Sequence, residues 1–540
     1  MPTMSGGDAV VQGLLAHGVT SLYCLPGVQS DHLFNAIFDA GGALTPIHTR
    51  HEQGAAYMAL GAAMATGRPA AYSVVPGPGF LNSCAALCTA WAVNAKVLAL
   101  VGQIPSPAIG QLWGMLHEIP DQMAVLAQLT KRAERILTPA EAPGAVARAF
   151  QALNSGRPRP VGLELPADVL QARGDVRPQA RLDADAPPRA GAADIARAAD
   201  LIAQAQRPMI FVASGAIHAA DEVRSLAEKI GAPVVGHRLG RGVLDARHPL
   251  SLTASCAHAL WAQTDCAILV GARAQPMLQG WGFDAGIKLV QIDVDPAEIG
   301  RFQTPDVALL ADAEEALAAI NDALSGRSFD TRARVEACAE AKARFLARIA
   351  VLEPQLSYLK AIRDVLPDDG VLVDDLTQVG YVARIAYPAH RPRTLINSGF
   401  QGTLGWGVAT GLGAKHALGD PPVIVISGDG GFMYNVQELS TAVRHRIGAV
   451  FVVFNDGAFG NVRRMQQELH GNRVIASDLL NPDFMKLAES FGLRGRLARN
   501  PDALRGALEA ALAEGGPQLI EVPIGETPSP WPFINLPKVR

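Results

Sequence analysis

Long uninterrupted apolar runs are missing from these 540 residues. None reaches the roughly 18 apolar residues of a membrane-spanning helix. The amino terminus also lacks the charged region and continuous apolar stretch of a secretory signal; Val10, Val11, Leu14 and Leu15 recur at helical spacing instead. These two absences predict a cytoplasmic protein with no membrane partner. An excess of positive charge is lacking too: the formal net charge is -4, with no basic stripe. That argues against nucleic acid as a partner, because phosphate neutralisation needs clustered Lys and Arg. Cysteine is sparse, with six residues spread along the chain. Cys84 and Cys88 share a helix face, but no second Cys or His pair at ligand spacing accompanies them, so small buried thiols are expected rather than zinc.

What is present is apolar: 49% of the residues are hydrophobic and 18% charged, the balance of a well-buried globular protein. Length alone suggests about three domains. In the first stretch, short β-branched runs over 21–25, 44–48, 70–75, 97–101 and 161–165 alternate with helical patterns over 52–66 and 80–91. Strand alternating with helix predicts a parallel sheet covered on both faces. Residues 172–193 are rich in Pro, Arg, Asp and Ala without apolar periodicity, and read as a surface linker. The α/β pattern returns in PMIFVAS, a helix over 219–230, APVVG, DCAILVGA and KLVQIDVDP. A charged helical stretch over 332–349 then leads to VLVDD, TLINSG, PVIVISGDGG and GAVFVVFND. The predicted fold is therefore α/β, with three consecutive doubly wound parallel-sheet domains. Their expected extents are 1–172, 194–330 and 356–540, with a linker over 173–193 and a helical linker over 331–355. No short solenoid repeat is visible.

The stretch that carries most chemistry is VIVISGDGGFMYNVQELSTAVRHRIGAVFVVFNDGAFGN, from Val423 to Asn461. An apolar strand ends at Gly428-Asp429-Gly430-Gly431, and after a helix predicted from about Val436 a second ends at Asn455-Asp456. In an open parallel sheet both acids lie at the carboxyl edge, where ligands gather. The glycines let backbone approach a phosphate and leave amide donors free. Two hard oxygen ligands and a diphosphate are what Mg²⁺ needs. Alone, GDG is often only a strand-to-helix turn with an Asp cap; the second strand ending in Asn-Asp separates the two readings.

This pair of strand ends resembles the thiamine-diphosphate enzymes, whose hallmark is GDG and, after a spacer, Asn-Asn. The resemblance implies that Asp429, Asp456 and the carbonyl of Ala458 bind Mg²⁺, with Asp456 standing where the family usually has Asn. Thr49-Arg50-His51-Glu52-Gln53-Gly54-Ala55 looks like the RHEQGA segment of the acetolactate synthase branch. Glu52 is implied as the carboxylate that protonates the pyrimidine N1′ of the cofactor; read alone, it is a first-turn Glu favoured by the helix dipole. Pro76-Gly77-Pro78-Gly79-Phe80-Leu81-Asn82 resembles the SGPGxxN turn, and residues 398–407 resemble SGGLGxMGFG. Gly402 then offers its carbonyl to the 4′-amino group, and Leu404 is the wedge that bends the cofactor. Thr377 and Gln378 fall where the family binds the diphosphate, and Gly27, Pro76, Asn82, Gly428, Gly430, Gly431, Phe459 and Gly460 are implied as further cofactor-binding residues.

The resemblance spans the whole chain, with pyrimidine-binding, central Rossmann-like and diphosphate-binding domains in that order. It implies a homodimer or homotetramer in which Glu52 meets the GDG segment of another subunit. The implied activity is that of a carboligase or lyase: an enamine forms from a small 2-oxo acid with CO₂ release and joins a second carbonyl. A non-oxidative decarboxylase, an oxidase using FAD and a non-catalytic cofactor-binding protein are the alternatives. Gln29 is expected near the reacting carbon. His117, where acetolactate synthases carry Gln, suits proton relay or a substrate carboxylate, and equally an ordinary loop His. Asn461, Val462 and Met465 are implied to line the substrate cleft; Met465 replaces the Trp of the biosynthetic acetolactate synthases. Some relatives bind FAD in the central domain, where Gly215, Gly271 and Arg273 fall in suitable loops, though the sheet reads equally as structural; 529–533 is a tail that either covers the site or packs on the surface.

Overall fold

The computed structural model describes residues 2–540. The apolar runs become three six-stranded sheets, each entirely parallel and flanked by helices. In the first sheet the spatial order is Thr45–His48, Ser21–Cys24, Ala70–Val74, Val97–Gln103, Val161–Pro166, Arg132–Arg135. The third sheet runs Leu395–Asn397, Val371–Asp374, Val423–Gly428, Val450–Asn455, Gln518–Pro523, Arg494–Leu497. Numbered within each sheet, both follow the order 2-1-3-4-6-5. The central sheet runs Ser251–Thr253, Val234–Gly236, Pro208–Val212, Cys266–Val270, Lys288–Asp293, Val307–Leu310, which is the Rossmann order 3-2-1-4-5-6. The centre strands are buried along their length, as expected of strands covered by helices on both faces.

The helix Glu52–Thr66 is buried all round from Gly54 to Ala65, which marks an interior helix rather than an amphipathic surface one. It packs on Gly407–Leu418, and the two share one apolar core that draws residues from the first and third sheets alike. The crossing is so close that a Cβ at Gly61 would stand 1.9 Å from the carbonyl oxygen of Thr410, and one at Gly413 1.9 Å from that of Met58. Only glycine permits this approach. Met58 and Leu60 are sealed within it, each contributing about 1.5–3 kcal/mol by burial.

Local structure differs from expectation in two places. Arg173–Asp175, within the stretch read as linker, is a strand paired antiparallel with Thr3–Ser5; its charged composition hides a backbone ladder that needs no apolar alternation. After GDG the chain turns at once into the helical turn Asp429–Phe432, then a 3₁₀ turn at Val436–Glu438 and a short helix Leu439–Arg444. Cys24, Cys256, Cys266 and Cys338 are buried free thiols, while Cys84 and Cys88 are half-buried. Among the described residues no helix is long and apolar enough to cross a membrane.

Candidate active site

In the third sheet the strand order reverses between Val371–Asp374 and Val423–Gly428. Such a reversal parts the loops at the carboxyl edge and opens a crevice. The loops leaving that edge carry Thr377, Gln378, Gly428, Gly430 and Gly431, and the neighbouring strand delivers Asp456. Asp429 is 1% exposed; its Oδ2 accepts from the Gly457 N–H at 3.0 Å and from Asn481 Nδ2 at 2.5 Å. Asp456 Oδ1 accepts from the Ala458 N–H at 3.2 Å. Burial, then the adjacent Asp429 carboxylate, push the Asp456 carboxyl up to about 7. Two crowded carboxylates that retain a proton near neutrality form a hard-oxygen donor set suited to a divalent cation, which would take the proton's place. The donor set therefore fits Mg²⁺.

The rest of the crevice fits a diphosphate. Thr377 precedes the helix Gln378–Ala386 without capping it through its side chain, so the N–H groups of the helix start remain free. Gln378 Oε1 is buried without a hydrogen-bond partner among the described residues. A Cβ at Gly460 would stand 2.3 Å from Asp456 Oδ2 and 3.4 Å from Gln378 Nε2, so a side chain there would fill the cradle. Ala458 is buried, and the Phe459 N–H is tied to the Ser477 carbonyl at 2.8 Å, which fixes the loop that follows Asp456.

Leu404 lies against the same crevice, its Cδ1 being 3.1 Å from a Cβ position at Gly431. Gly402 has φ +57 with open space beside it. This loop is held by Asp375, a fully buried residue that sequence reasoning passed over. Its carboxylate accepts from the N–H groups of Leu376 (2.7 Å), Gly405 (3.3 Å) and Gly407 (3.3 Å) and from the Ser427 hydroxyl (3.0 Å). Burial raises its carboxyl to about 6, against the pull of those donors. Asn435 adds a hydrogen bond to the Gly405 carbonyl at 2.6 Å. Asp375, Asn435 and Asn481 therefore hold the site without having been legible in it. The only local signal was the Asp-Asp pair ending an apolar strand.

The first sheet presents its own carboxyl edge. Glu52 opens its helix there, half-buried, and accepts from Asn82 Nδ2 at 3.0 Å. Its Oε1 is 3.4 Å from a Cβ position at Gly79, in the first turn of the helix Pro78–Ala92 that follows Pro76. Gly27 precedes the 3₁₀ turn Val28–Ser30, which holds Gln29; Gln29 Nε2 donates to the Leu116 carbonyl at 3.1 Å and its Oε1 is buried without a partner among the described residues. His117 follows with φ +67 and an unpartnered buried Nδ1. Glu52, Asn82, Gln29 and His117 thus gather at one sheet edge, and the Asp429 group at another. No hydrogen bond among the described residues joins Glu52 to Asp429 or Asp456.

Asn461, Val462 and Met465 lie on the helix Gly460–Leu469, which has no buried residue. The tail reaches this helix: Trp531 Nε1 donates to Asn461 Oδ1 at 2.8 Å and its ring packs 4.9 Å from that of Tyr381. In the central sheet, Gly215 and Gly271 leave strands on either side of the order reversal and line a cavity of about 470 Å³ together with Arg273, Arg238 and Phe400. Arg273 is paired with Glu298 at 3.0 Å.

Three family models match the chain: thiamine pyrophosphate enzyme, N-terminal TPP binding domain over residues 4–125, central domain over 195–320, and C-terminal TPP binding domain over 375–522. A Pseudomonas aeruginosa protein described as "probable 2-ketoarginine decarboxylase AruI" is 32% identical over 539 residues, covering 96% of this chain and 94% of that protein. The acetolactate synthase isozyme 2 large subunit of Escherichia coli is 32% identical over 551 residues, covering 98% and 97%. The acetolactate synthase large subunit of Parasynechococcus marenigrum is 32% identical over 560 residues, covering 98% and 89%.

Proposed function

The chain belongs to the thiamine pyrophosphate enzymes, in the branch of acetolactate synthases and related decarboxylases, and on that premise we propose that it is a carboligase or lyase. In this reading a small 2-oxo acid loses CO₂ and its remaining carbon is joined to a second carbonyl. The observation that supports it is a pair of residue groups at two sheet edges: a crowded Asp429–Asp456 pair, and a Glu52 held by Asn82 at the start of a buried helix. A protein that merely bound the cofactor would have no use for the second group.

When bound, thiamine diphosphate supplies the carbon nucleophile and the electron sink for the charge left by CO₂. Asp429, Asp456 and the Ala458 carbonyl would hold Mg²⁺, and Thr377, Gln378, Gly428, Gly430, Gly431, Phe459 and Gly460 would surround the diphosphate. Gly27, Pro76 and Asn82 shape the pyrimidine side, where Glu52 holds a proton at N1′. Leu404 would support the bound cofactor from below, and the Gly402 carbonyl would be free to accept from its amino group. Gln29 and His117 would stand near the reacting carbon, where His117 would relay a proton or bind the substrate carboxylate. Asn461, Val462 and Met465 line the substrate side. Glu52 and Asp429 occupy different edges of one chain, and membership of the family supports a complete site formed between subunits of a homodimer or homotetramer.

Two specific observations favour other readings. The similarity to a protein described as a 2-ketoarginine decarboxylase favours simple decarboxylation. The central cavity with Gly215, Gly271 and Arg273 favours a bound FAD, which a yellow purified protein would reveal. Incubation with thiamine diphosphate, Mg²⁺ and pyruvate, with every product identified, tests the leading reading. Acetolactate and CO₂ are expected; acetaldehyde as the sole organic product would replace it with a decarboxylase.

A further inference from the structure

The helix that begins at Glu52 is capped by a residue from the far end of the chain. In a self-contained capping box, the acid at the third helical position reaches back to the N–H of the cap residue. Here the cap is His51, and the third position is Gly54. Glu438, in the 3₁₀ turn Val436–Glu438, takes over that contact. Its Oε1 accepts from the His51 N–H at 3.0 Å, and its two oxygens accept from the Arg50 N–H at 3.2 and 3.1 Å. Oε2 also accepts from the Thr441 hydroxyl at 2.6 Å. Glu438 is fully buried. A Cβ at Gly54 would stand 2.4 Å from Glu438 Oε1, and the next two atoms it would meet are also Glu438's. Gly54 is thus bare where a capping box carries its acid, and another block's acid fills the space.

The segment that delivers Glu438 begins at Asp429, and midway along it Asn435 holds the Gly405 carbonyl beside Leu404. One short run of chain therefore carries the metal carboxylate, braces the loop of Leu404 and grips the start of the Glu52 helix. We propose that Glu438 is a positioning residue for Glu52, completing its helix cap from the diphosphate-binding block and so fixing where the Glu52 carboxylate stands. This rests on the proposed role of Glu52 at N1′.

The test uses the full chain and its variants E438A, E438Q and E438A/G54E. In cofactor-free protein, hydrogen exchange at the Arg50 and His51 amides should accelerate about 10-fold or more in E438A, since two N–H groups lose a charged acceptor. With saturating thiamine diphosphate and Mg²⁺, exchange of the cofactor's C2 proton should fall about 10²-fold, the loss expected from misplacing a catalytic group by an ångström. Cofactor affinity should not change. E438Q, whose amide oxygen still accepts, should stay near the parent, and G54E should restore both readouts by returning the acid to the helix itself. Parent-like amide protection in folded E438A overturns the proposal, as does loss of cofactor affinity in proportion to C2 exchange. If E438A does not fold, E438D and E438Q decide: the shortened acid should slow C2 exchange more than the amide, and any other order overturns the inference. A parent chain that shows no C2 exchange rejects the proposed function instead, an outcome separate from these.

Discussion

The first and third sheets share one strand order yet present different chemistry at the same topological position. At the edge of the third, loops end in small residues and paired acids around free helical N–H groups, which suits a metal and phosphates. The edge of the first instead offers Glu52 at the head of a helix buried among Ala and Met, which suits proton transfer. The winding decides where loops emerge. The residues placed on those loops decide whether the edge binds charge or moves a proton. The central sheet, wound differently, keeps a crevice at its own reversal, but there the acid Glu298 is paired with Arg157 and Arg273 beside Asp293.

Substitutions can break this contrast one side at a time. The largest effect is expected from Asp429→Ala, which should abolish Mg²⁺-dependent binding of thiamine diphosphate; tight binding by calorimetry in that variant would undo the metal assignment. Glu52→Gln should spare binding and lower C2-proton exchange and turnover by about 10²–10⁴-fold, the usual weight of a general acid–base group. Unchanged exchange would remove Glu52 from its role. Gly61→Ala probes the seam between the two blocks, where an added methyl meets the Thr410 carbonyl. It should destabilise the chain by about 1–3 kcal/mol or more in denaturant titration, as overpacking does; an unchanged midpoint would show the helices free to separate.

The smallest effect is a pH slope. The folded-state carboxyl of Asp456 is raised to about 7, against roughly 3.9 in the unfolded chain. Between those values the cofactor-free fold binds more protons than the unfolded chain, so the contribution of Asp456 to stability is present at low pH and lost as pH rises through about 7. Mg²⁺ must displace that proton, so its affinity should climb over the same window and level off above it. Asp456→Asn should flatten the climb measured by Mg²⁺ titration across pH; an identical slope in the variant would assign the proton to another group.

Much of this was readable in one dimension. Apolar runs ending in glycine became the parallel strands, and the helix over 52–66 has the bounds its periodicity gives. Asp429 and Asp456 stood out because each follows an apolar strand beside glycine, and Glu52 because its segment resembles RHEQGA. Glu438, Asp375, Asn435 and Asn481 did not, for a physical reason: each acts on donors or acceptors remote in sequence, and nothing in VQELST announces a partner at His51. Gly54 and Gly61 were likewise invisible, since what they avoid is a neighbour that only folding supplies.

The most direct test of a divided site built around a metal-bound diphosphate is calorimetric titration of the cofactor-free protein with thiamine diphosphate, once with Mg²⁺ and once with a chelator. Saturable binding, at one cofactor per chain and lost in the chelator, is the predicted result. Absence of binding with Mg²⁺, or equal binding without it, would contradict the assignment of Asp429 and Asp456.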